Sequence, residues 1–227
     1  MPDGTLLLSV GDGGNPPVEI NGGLARLQSK NLNSHIGKVL RLRDDDGTAP
    51  PDNPFVGRPN AKPEVFTAGH RHVQGLARHP DGRVFATEHG PLGGDELNLL
   101  RAGANYGWPE VGWGRDYVGA APIGTGQRSG AGFADPALVW FPSVIGASGL
   151  AVYSGDQFPA WRGSILAGGL ATQDVRRTVV GANGQVTHHE SLRVEQRVRD
   201  VRQGPDGLVY VLTDEIHGRV FRLEPPR

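Results

Sequence analysis

The chain has 227 residues, of which 37% are hydrophobic, and a formal net charge of −1 at pH 7. Its size fits one domain, residues 1–227, and the near-zero charge excludes the basic surface of a nucleic-acid-binding protein. No apolar run reaches the roughly 18 residues of a membrane span, the first residues lack the pattern of a signal peptide, and the absence of cysteine excludes disulfides.

Three segments each combine a Pro-Asp-Gly turn with a following run of strand-forming residues. They begin at Pro2, Pro80 and Pro205, so the first two starts lie 78 residues apart and the last two 125. Both spacings are near multiples of the roughly 40 residues that make up a four-stranded propeller blade. Residues 158–166 are a degenerate copy of the same pattern. The chain therefore contains a structural repeat.

Further strands are predicted where short apolar runs lie between turn-forming residues, in chain order at 39–42, 65–68, 97–100, 138–141, 150–153, 175–180, 186–192 and 220–223. No window has the periodicity of a long helix, and residues 112–136, rich in Gly, Pro and Ser, are predicted to be a loop insertion. These features predict an all-β fold, and the repeat favours a β-propeller of four-stranded blades over a sandwich.

Two polar, glycine-rich segments lie close together in the sequence. Residues 69–75 form a basic segment and residues 88–98 an acidic one, with a strand–turn–strand pattern at 79–87 between them. Functional side chains concentrate on such loops, because a rigid sheet holds the loops in place. The two segments predict a binding or catalytic site at the ends of neighbouring strands.

These segments resemble the motifs of the soluble pyrroloquinoline quinone (PQQ)-dependent sugar dehydrogenases, in particular the aldose sugar dehydrogenase and glucose/sorbosone dehydrogenase branch. The resemblance extends in order through residues 2–5, 37–42, 52–55, 105–109, 148–150, 158–161, 197–201 and 204–207. It implies a six-bladed propeller of which this chain, an N-terminally truncated member, holds about four C-terminal blades. It also implies a periplasmic or secreted enzyme, monomeric or dimeric, that uses PQQ and Ca²⁺ to oxidise aldoses to lactones. The electron acceptor stays unknown.

The resemblance also implies most of the site residues. PQQ is an anionic quinone, so its site needs cations for the carboxylates and a Lewis acid at the quinone oxygens. Arg71 matches an arginine beside those oxygens, and the other matched cofactor contacts are His72, Tyr117, Leu170, Ala171, Arg197 and Arg199. The implied metal ligands are the carbonyls of Gly90 and Pro91 for the cofactor's calcium, and Glu96 and Tyr106 for a second calcium.

Taken without the resemblance, several of these residues have plainer interpretations. An Arg-x-Arg pair such as Arg197 and Arg199 fits a solvent-facing strand, Glu96 fits a turn, and Tyr117 fits ordinary aromatic packing. Two departures from the family pattern also stand out. His72 replaces an Asn of many relatives, and residues 169–174 lack the lysine that many relatives present to the cofactor.

Asp12 matches the family aspartate that orients the catalytic histidine. That histidine belongs upstream of the position equivalent to Pro2, and none of the eight histidines of this chain occupies it. Asp12 and Arg71 are therefore the implied catalytic residues here, and the chain is expected to be inactive alone.

Two other functions remain open on the sequence. The first is a calcium-dependent propeller hydrolase of the lactonase type, which predicts a metal site dominated by carboxylate and Asn ligands. The second is a non-catalytic propeller fragment that binds ligand or calcium only, an alternative that the missing histidine favours. The arginines matched to cofactor carboxylates favour the dehydrogenase.

Overall fold

The computed structural model describes residues 1–14, 18–20 and 22–226. These residues form sixteen strands and two short 3₁₀ helices, η1 and η2. In chain order they are β1 (Thr5–Val10), β2 (Glu19–Ile20), β3 (Gly23–Leu24), η1 (Ala25–Lys30), β4 (Lys38–Arg43), β5 (Val65–Ala68), β6 (Val73–Arg78), β7 (Val84–Glu88), β8 (Asp95–Leu100), β9 (Leu138–Trp140), β10 (Ala147–Val152), η2 (Pro159–Trp161), β11 (Ile165–Gly169), β12 (Asp174–Val180), β13 (Val186–Arg193), β14 (Val198–Gln203), β15 (Val209–Thr213) and β16 (Val220–Leu223).

The strands pair as antiparallel sheets that follow one another along the chain. The first sheet is β1-β4-β5, the second β6-β7-β8-β9, the third β10-β11-β12-β13 and the fourth β14-β15-β16, while β2 and β3 form a separate hairpin. The prediction of an all-β fold is confirmed. Two of the sheets have the four strands predicted for a blade, and two have three in the described residues. Neither 3₁₀ helix in the described residues is long and apolar enough to span a membrane.

Each sheet packs face to face against the next through its own apolar cluster. Val39 of the first sheet meets Val84 and Ala86 of the second. The clusters between the later sheets are larger. The cluster between the second and third sheets includes Phe85, Leu97, Leu150 and Ile165, and that between the third and fourth includes Leu166, Val175, Val201 and Val211. Alternate residues of each strand thus face a neighbouring sheet, as expected for sheets buried on both faces.

The first strands of the last three sheets run side by side in the same direction. Ser148 Oγ donates to the carbonyl of Val198 (2.6 Å), and Arg202 donates to that of Leu150 (2.7 Å). Residue numbers therefore increase in the same direction along β10 and β14. Contact between β6 and β10 is equally close, because a Cβ on Gly75 would lie 2.6 Å from Leu150 Cβ. The glycine allows this approach.

The three predicted Pro-Asp-Gly turns share one geometry. In each, the Asp carboxylate accepts the backbone N–H two residues later: Asp3 from Thr5, Asp81 from Arg83 and Asp206 from Leu208. The glycine that follows has φ of 69° to 96° in all three, a left-handed conformation that favours glycine. Each turn leads into β1, β7 or β15, so the predicted repeat is confirmed.

Several predicted boundaries shift. The basic segment is shorter than predicted, since its last residues, from Val73 on, belong to β6. The acidic loop is likewise reduced to residues 89–94, because Glu88 ends β7 and Asp95 begins β8. Strand β9 ends at Trp140 rather than residue 141, since Pro142 has no N–H for a ladder.

Candidate functional site

The antiparallel registers bring the predicted site residues to one end of the sheets. Val73 pairs with Glu88 and Glu88 with Glu96, so the start of β6, the β7–β8 loop and the start of β8 share an end. In the same way Ala147 pairs with Gly169, and Val198 with Thr213. The residues placed at this end are Asp12, Arg71, His72, Gly90, Pro91, Glu96, Leu170, Ala171, Arg197 and Arg199.

Arg71 is a deeply placed cation of this end, with only 7% of the residue exposed. Its Nη1 donates to the carbonyl of His89 (3.1 Å) and its Nη2 lies 3.5 Å from the hydroxyl of Tyr117. The guanidinium also faces the rings of Trp108 and Tyr117, at 5.7 and 6.0 Å. Among the residues that the structure describes, no carboxylate lies within 4.0 Å of the guanidinium. Arg71 is therefore a buried cation with no direct ion-pair partner in the described part of the chain, although its charge helps to lower the pKa of Glu88.

Asp12 lies beside Arg71 and is also buried. Its backbone N–H donates to the carbonyl of Arg71 (2.9 Å), and its Oδ2 accepts the indole N–H of Trp108 (2.8 Å). Gly14 N donates to the other carboxylate oxygen (2.9 Å). The carboxylate is thus held in a single orientation at the edge of the site.

Two histidines continue the site from Arg71. His72 packs against Gly11 so closely that a Cβ on that glycine would lie 2.2 Å from His72 Nδ1. His89 lies across from His72, with the centroids of the two rings 6.1 Å apart. The backbone N–H of His89 donates to the carbonyl of His72. Burial, reinforced by Arg71, lowers the pKa of His72, and burial lowers that of His89. Both imidazoles are therefore biased toward the neutral form.

The loop predicted to ligate calcium is a tight turn of backbone. Gly93 and Gly94 have φ of 99° and 72°, and a Cβ on Gly90 would lie 2.2 Å from the carbonyl oxygen of Gly93. Gly90 N donates to Asp95 Oδ1 (2.9 Å), and Arg115 N donates to the carbonyl of Pro91 (2.8 Å). The loop therefore concentrates carbonyl oxygens, the hard ligands that calcium accepts.

Beneath this loop lies a layer of acidic side chains. Glu88 is almost fully buried; its carboxylate accepts the N–H of Arg71 and lies 2.8 Å from His70 Nδ1. Asn98 Nδ2 donates to both Glu88 and Glu96, at 3.1 Å each. Burial, together with the charge of Glu88, raises the pKa of Glu96 to about 8. A cation bound beside Glu96 would relieve this repulsion.

A small cavity joins these elements. Its volume is about 20 Å³, room for one water molecule or ion, and its lining includes Arg71, Glu88, His89, Gly90, Pro91, Glu96, Tyr106, Trp108 and Trp113. Two lining nitrogens, His89 Nε2 and Trp113 Nε1, are buried without a hydrogen-bond partner in the described part of the chain. No group of three or more His, Cys, Asp or Glu side chains there could hold a metal by itself. A cation would therefore need the carbonyl oxygens or a bound ligand.

Asp95 connects the loop to the third sheet. Its buried carboxylate accepts three backbone N–H groups, from Gly90 (2.9 Å), Ile145 (3.0 Å) and Gly146 (2.7 Å). The carbonyls of Gly146 and Ile145 in turn accept the N–H groups of Leu170 and Ala171, at 2.9 and 2.8 Å. Leu170 and Ala171 therefore belong to the same end, one step beyond the cavity.

Arg197 and Arg199 share a partner at the start of β14. Both donate to Asp214 Oδ2, at 3.1 and 2.7 Å, so the two guanidiniums project to one face as the spacing predicts. Each is about half exposed, and their proximity lowers the pKa of Asp214. A second carboxylate, that of Glu215, accepts the backbone N–H of Arg197 (3.0 Å).

Several residues of the site were not predicted from the sequence. His70, Glu88 and Asp95 are buried polar residues, and Trp108 is a buried aromatic residue whose indole N–H binds Asp12. His70 and Glu88 lie in the two polar segments, 69–75 and 88–98, so their polar character was visible in the sequence. The contact between them could not be predicted, because 18 residues of chain separate them.

Comparison with known proteins agrees with this arrangement. Residues 1–222 match the family model described as Glucose / Sorbosone dehydrogenase. The chain is 50% identical to the uncharacterized protein slr1608 of Synechocystis sp., covering 99% of this chain and 54% of the relative. It is 37% identical to the aldose sugar dehydrogenase YliI of Escherichia coli, covering 98% and 57%. The chain thus spans little more than half the length of these relatives.

A solved structure shares the fold as well. The PQQ-bound form of an aldose sugar dehydrogenase from Streptomyces coelicolor superposes with a TM-score of 0.74 at 30% identity, covering 98% of this chain and 59% of that one. The family match covers residues 1–222, nearly all of the sequence. The chain therefore belongs to the glucose/sorbosone dehydrogenase family.

Proposed function

We propose that the chain is part of a β-propeller sugar dehydrogenase that binds PQQ and calcium and oxidises an aldose to its lactone. The observation that carries this proposal is Arg71, a buried guanidinium that has no counter-ion in the described residues. A buried charge without a partner is costly. An anionic ligand in front of Arg71 would remove that cost.

The remaining residues of this end fit the same ligand. The second cationic centre, Arg197 with Arg199, suits carboxylates because a forked guanidinium binds a planar anion with two hydrogen bonds. The further contacts expected for PQQ are His72, Tyr117, Leu170 and Ala171. The carbonyls of Gly90 and Pro91 would hold the accompanying calcium, and Glu96 with Tyr106 a second one. When bound, PQQ supplies a quinone that takes up hydride from the sugar.

The chain's own residues prepare the site for that chemistry. Asp12, held by Trp108, would orient a base through a carboxylate hydrogen bond, which sets the tautomer of an imidazole. The family resemblance implies that this base is a histidine, and none of the eight histidines of the chain matches its position. We therefore expect the chain alone to bind PQQ without turning over sugar.

The propeller architecture is supported by the way the sheets succeed one another. Four sheets of three or four antiparallel strands pack face to face in chain order, and the Pro-Asp-Gly turns recur before β1, β7 and β15. This succession is the pattern of propeller blades. It agrees with about four blades of a six-bladed ring.

A reconstitution experiment tests the proposal. The purified chain is mixed with PQQ and calcium, binding is followed by quenching of tryptophan fluorescence, and dye reduction is measured with glucose and other aldoses. We expect binding that Arg71→Ala weakens, and no turnover. The absence of any PQQ binding, or hydrolysis of lactones by the chain, would overturn the dehydrogenase assignment in favour of the binding-only or the hydrolase alternative.

Turnover by the chain alone would leave the assignment intact but contradict the expectation about the missing base. In that case another group of the chain acts as the base. Variants of the eight histidines would identify it.

A further inference from the structure

Lys38, the first residue of β4, is completely buried. Its ammonium donates to three carbonyl oxygens, those of Gln28 (2.8 Å), Ser29 (2.6 Å) and Ile36 (2.8 Å). Every ammonium hydrogen therefore has an acceptor, and none of the acceptors is a carboxylate. Lysine is almost never fully buried without an opposite charge. Burial lowers the pKa of Lys38 to about 7, so this placement carries a real cost.

What the ammonium holds is the end of helix η1. Gln28 and Ser29 lie in its last turn, where backbone carbonyls have no partner inside the helix. Lys38 supplies a further donor to each of these carbonyls from the neighbouring strand, in addition to the N–H of Asn31 on that of Gln28. The packing there has no slack, because a Cβ on Gly37 would lie 2.4 Å from Ser29 Cβ and 2.5 Å from the carbonyl oxygen of His70.

Ser29 connects this helix end to the candidate site. Its carbonyl also accepts the N–H of Gly69 (2.9 Å), two residues before Arg71. Its hydroxyl lies 2.6 Å from the carbonyl oxygen of Trp108. The same tryptophan donates its indole N–H to Asp12 and faces the Arg71 guanidinium. Ser29 therefore contacts two segments of the site directly, those of Gly69 and Trp108, and Trp108 connects it to Asp12.

We propose that Lys38 is a positioning residue of the candidate site, whose ammonium fixes Ser29 and thereby sets the place of Trp108 and of its partner Asp12. Lys38 itself touches neither ligand nor reacting atoms. It acts through its hydrogen bond to the carbonyl of Ser29 and through the contact of the Ser29 hydroxyl with the carbonyl of Trp108. The proposal deepens the dehydrogenase assignment and rests on it for its effect on cofactor binding. Its effect on Trp108 does not depend on any ligand.

The test follows the indole N–H resonance of Trp108 by proton–nitrogen NMR, assigned by comparison with Trp108→Phe. Lys38→Met keeps the length of the side chain and removes the charge and its three donors. We expect the Trp108 resonance to shift and its indole hydrogen to exchange with solvent at least about tenfold faster. The Kd for PQQ should rise about tenfold.

Arg177→Met is the matched control. Arg177 is likewise a buried cation with three partners, the Ser164 hydroxyl, the Glu190 carboxylate and the Ala160 carbonyl, but it lies in the third sheet. Its loss should lower the thermal stability without moving the Trp108 resonance or the Kd for PQQ. If Lys38→Met also lowers stability and leaves Trp108 unmoved, Lys38 is merely structural and the proposal is wrong.

Ser29→Ala keeps the test decisive if Lys38→Met fails to fold. It removes the hydroxyl contacts to the carbonyls of Trp108 and Arg26 and leaves the Ser29 carbonyl in place, so a shifted Trp108 resonance supports the proposal and an unmoved one overturns it. The two proposals also separate cleanly. If the unmodified chain binds no PQQ, the dehydrogenase assignment fails, while the Trp108 resonance still decides the role of Lys38.

Discussion

At the scale of single residues, the site is organised by charges that burial leaves unbalanced. Arg71 is a buried cation without a carboxylate partner in the described chain, and Glu96 is an acid pressed against the negative charge of Glu88. Each group would be relieved by a ligand of opposite charge. The two groups line one cavity that has room for one ion, so a cation bound there would relieve Glu96, while Arg71 calls for an anion beside it.

Arg71 should therefore control the binding of an anionic cofactor. Arg71→Ala removes a buried, charge-assisted donor set, an effect of roughly 1.5–3 kcal/mol, so we expect the Kd for PQQ to rise about 10- to 100-fold. Arg71→Lys keeps the charge but loses the forked geometry of the guanidinium, so its Kd for PQQ should lie between those of the unmodified chain and Arg71→Ala. Fluorescence titration measures both, with Arg193→Ala, an exposed arginine, as the control. An unchanged Kd in Arg71→Ala would contradict this role.

Glu96 predicts a pH-dependent stability in the absence of metal. Its pKa is about 8 in the folded chain and near 4.5 when unfolded. Between those two pH values Glu96 is protonated in the folded chain and ionised in the unfolded chain. Its contribution to the free energy of unfolding therefore falls as the pH rises through that window. Glu96→Gln cannot ionise. In chelator at pH 7 we expect it to raise Tm by about 4 °C or more, and to leave Tm unchanged at pH 4.

Calcium gives the complementary measurement for Glu96. If Glu96 is a ligand, added calcium should raise the Tm of the unmodified chain and have little effect on Glu96→Gln. An equal rise in both proteins would remove Glu96 from the metal site. A Glu96→Gln variant that is less stable than the parent at pH 7 in chelator would contradict the effect of burial.

At the scale of elements, the turns before β1, β7 and β15 set where these strands begin. Each uses an Asp carboxylate to hold the backbone and a left-handed glycine to reverse it. The strands that follow carry the apolar residues which face neighbouring sheets. A turn of this type therefore fixes which residues of the strand become core.

Gly82 tests the turn directly. It has φ of 96°, and a Cβ in that conformation costs roughly 1–2 kcal/mol per residue. We expect Gly82→Ala to lower the free energy of unfolding by that amount in urea titrations. Gly23→Ala is the matched control, since Gly23 is not left-handed and its Cβ would meet nothing within 4 Å. Equal losses from the two substitutions would argue against the turn.

At the scale of the whole molecule, the site depends on links between sheets. Apolar clusters join each sheet to the next, and Asp95 adds a polar link from the second sheet to the segment before β10. That segment supports Leu170 and Ala171. The placement of residues 89–94 relative to Leu170 and Ala171 therefore depends on one buried carboxylate.

Asp95→Ala should therefore cost stability as well as ligand binding. It leaves three buried N–H groups unpaired, and we expect a loss of about 3 kcal/mol or more in the free energy of unfolding. Asp95→Asn, which retains one acceptor, should lose less. Asp156→Ala, at a side chain that is 85% exposed, serves as the control in the same urea titrations. If all three variants have the same free energy of unfolding, the Asp95 link between the sheets does not contribute to stability.

Much of the element pattern could be predicted locally. Most strands were predicted within a few residues of their observed bounds. The Pro-Asp-Gly repeat was visible because each Asp carboxylate binds a backbone N–H only two residues further along the chain. The starts of β6 and β8 were predicted as loop instead. Gly75 and Asp95 are turn-forming residues by type, and their place in strands depends on Leu150 and on the segment before β10.

The all-β class, the repeat and the two polar loops could be predicted from the sequence, since they arise from residue types and spacings within short windows. The family resemblance, which indicated most of the site residues, was also visible there. Three features required the folded chain: Arg71 is buried with no ion-pair partner among the described residues, Trp108 holds Asp12, and Lys38 binds the Ser29 carbonyl. The reason is physical: burial and hydrogen-bond partnership depend on chain segments up to 96 residues apart, which meet only when the sheets pack together.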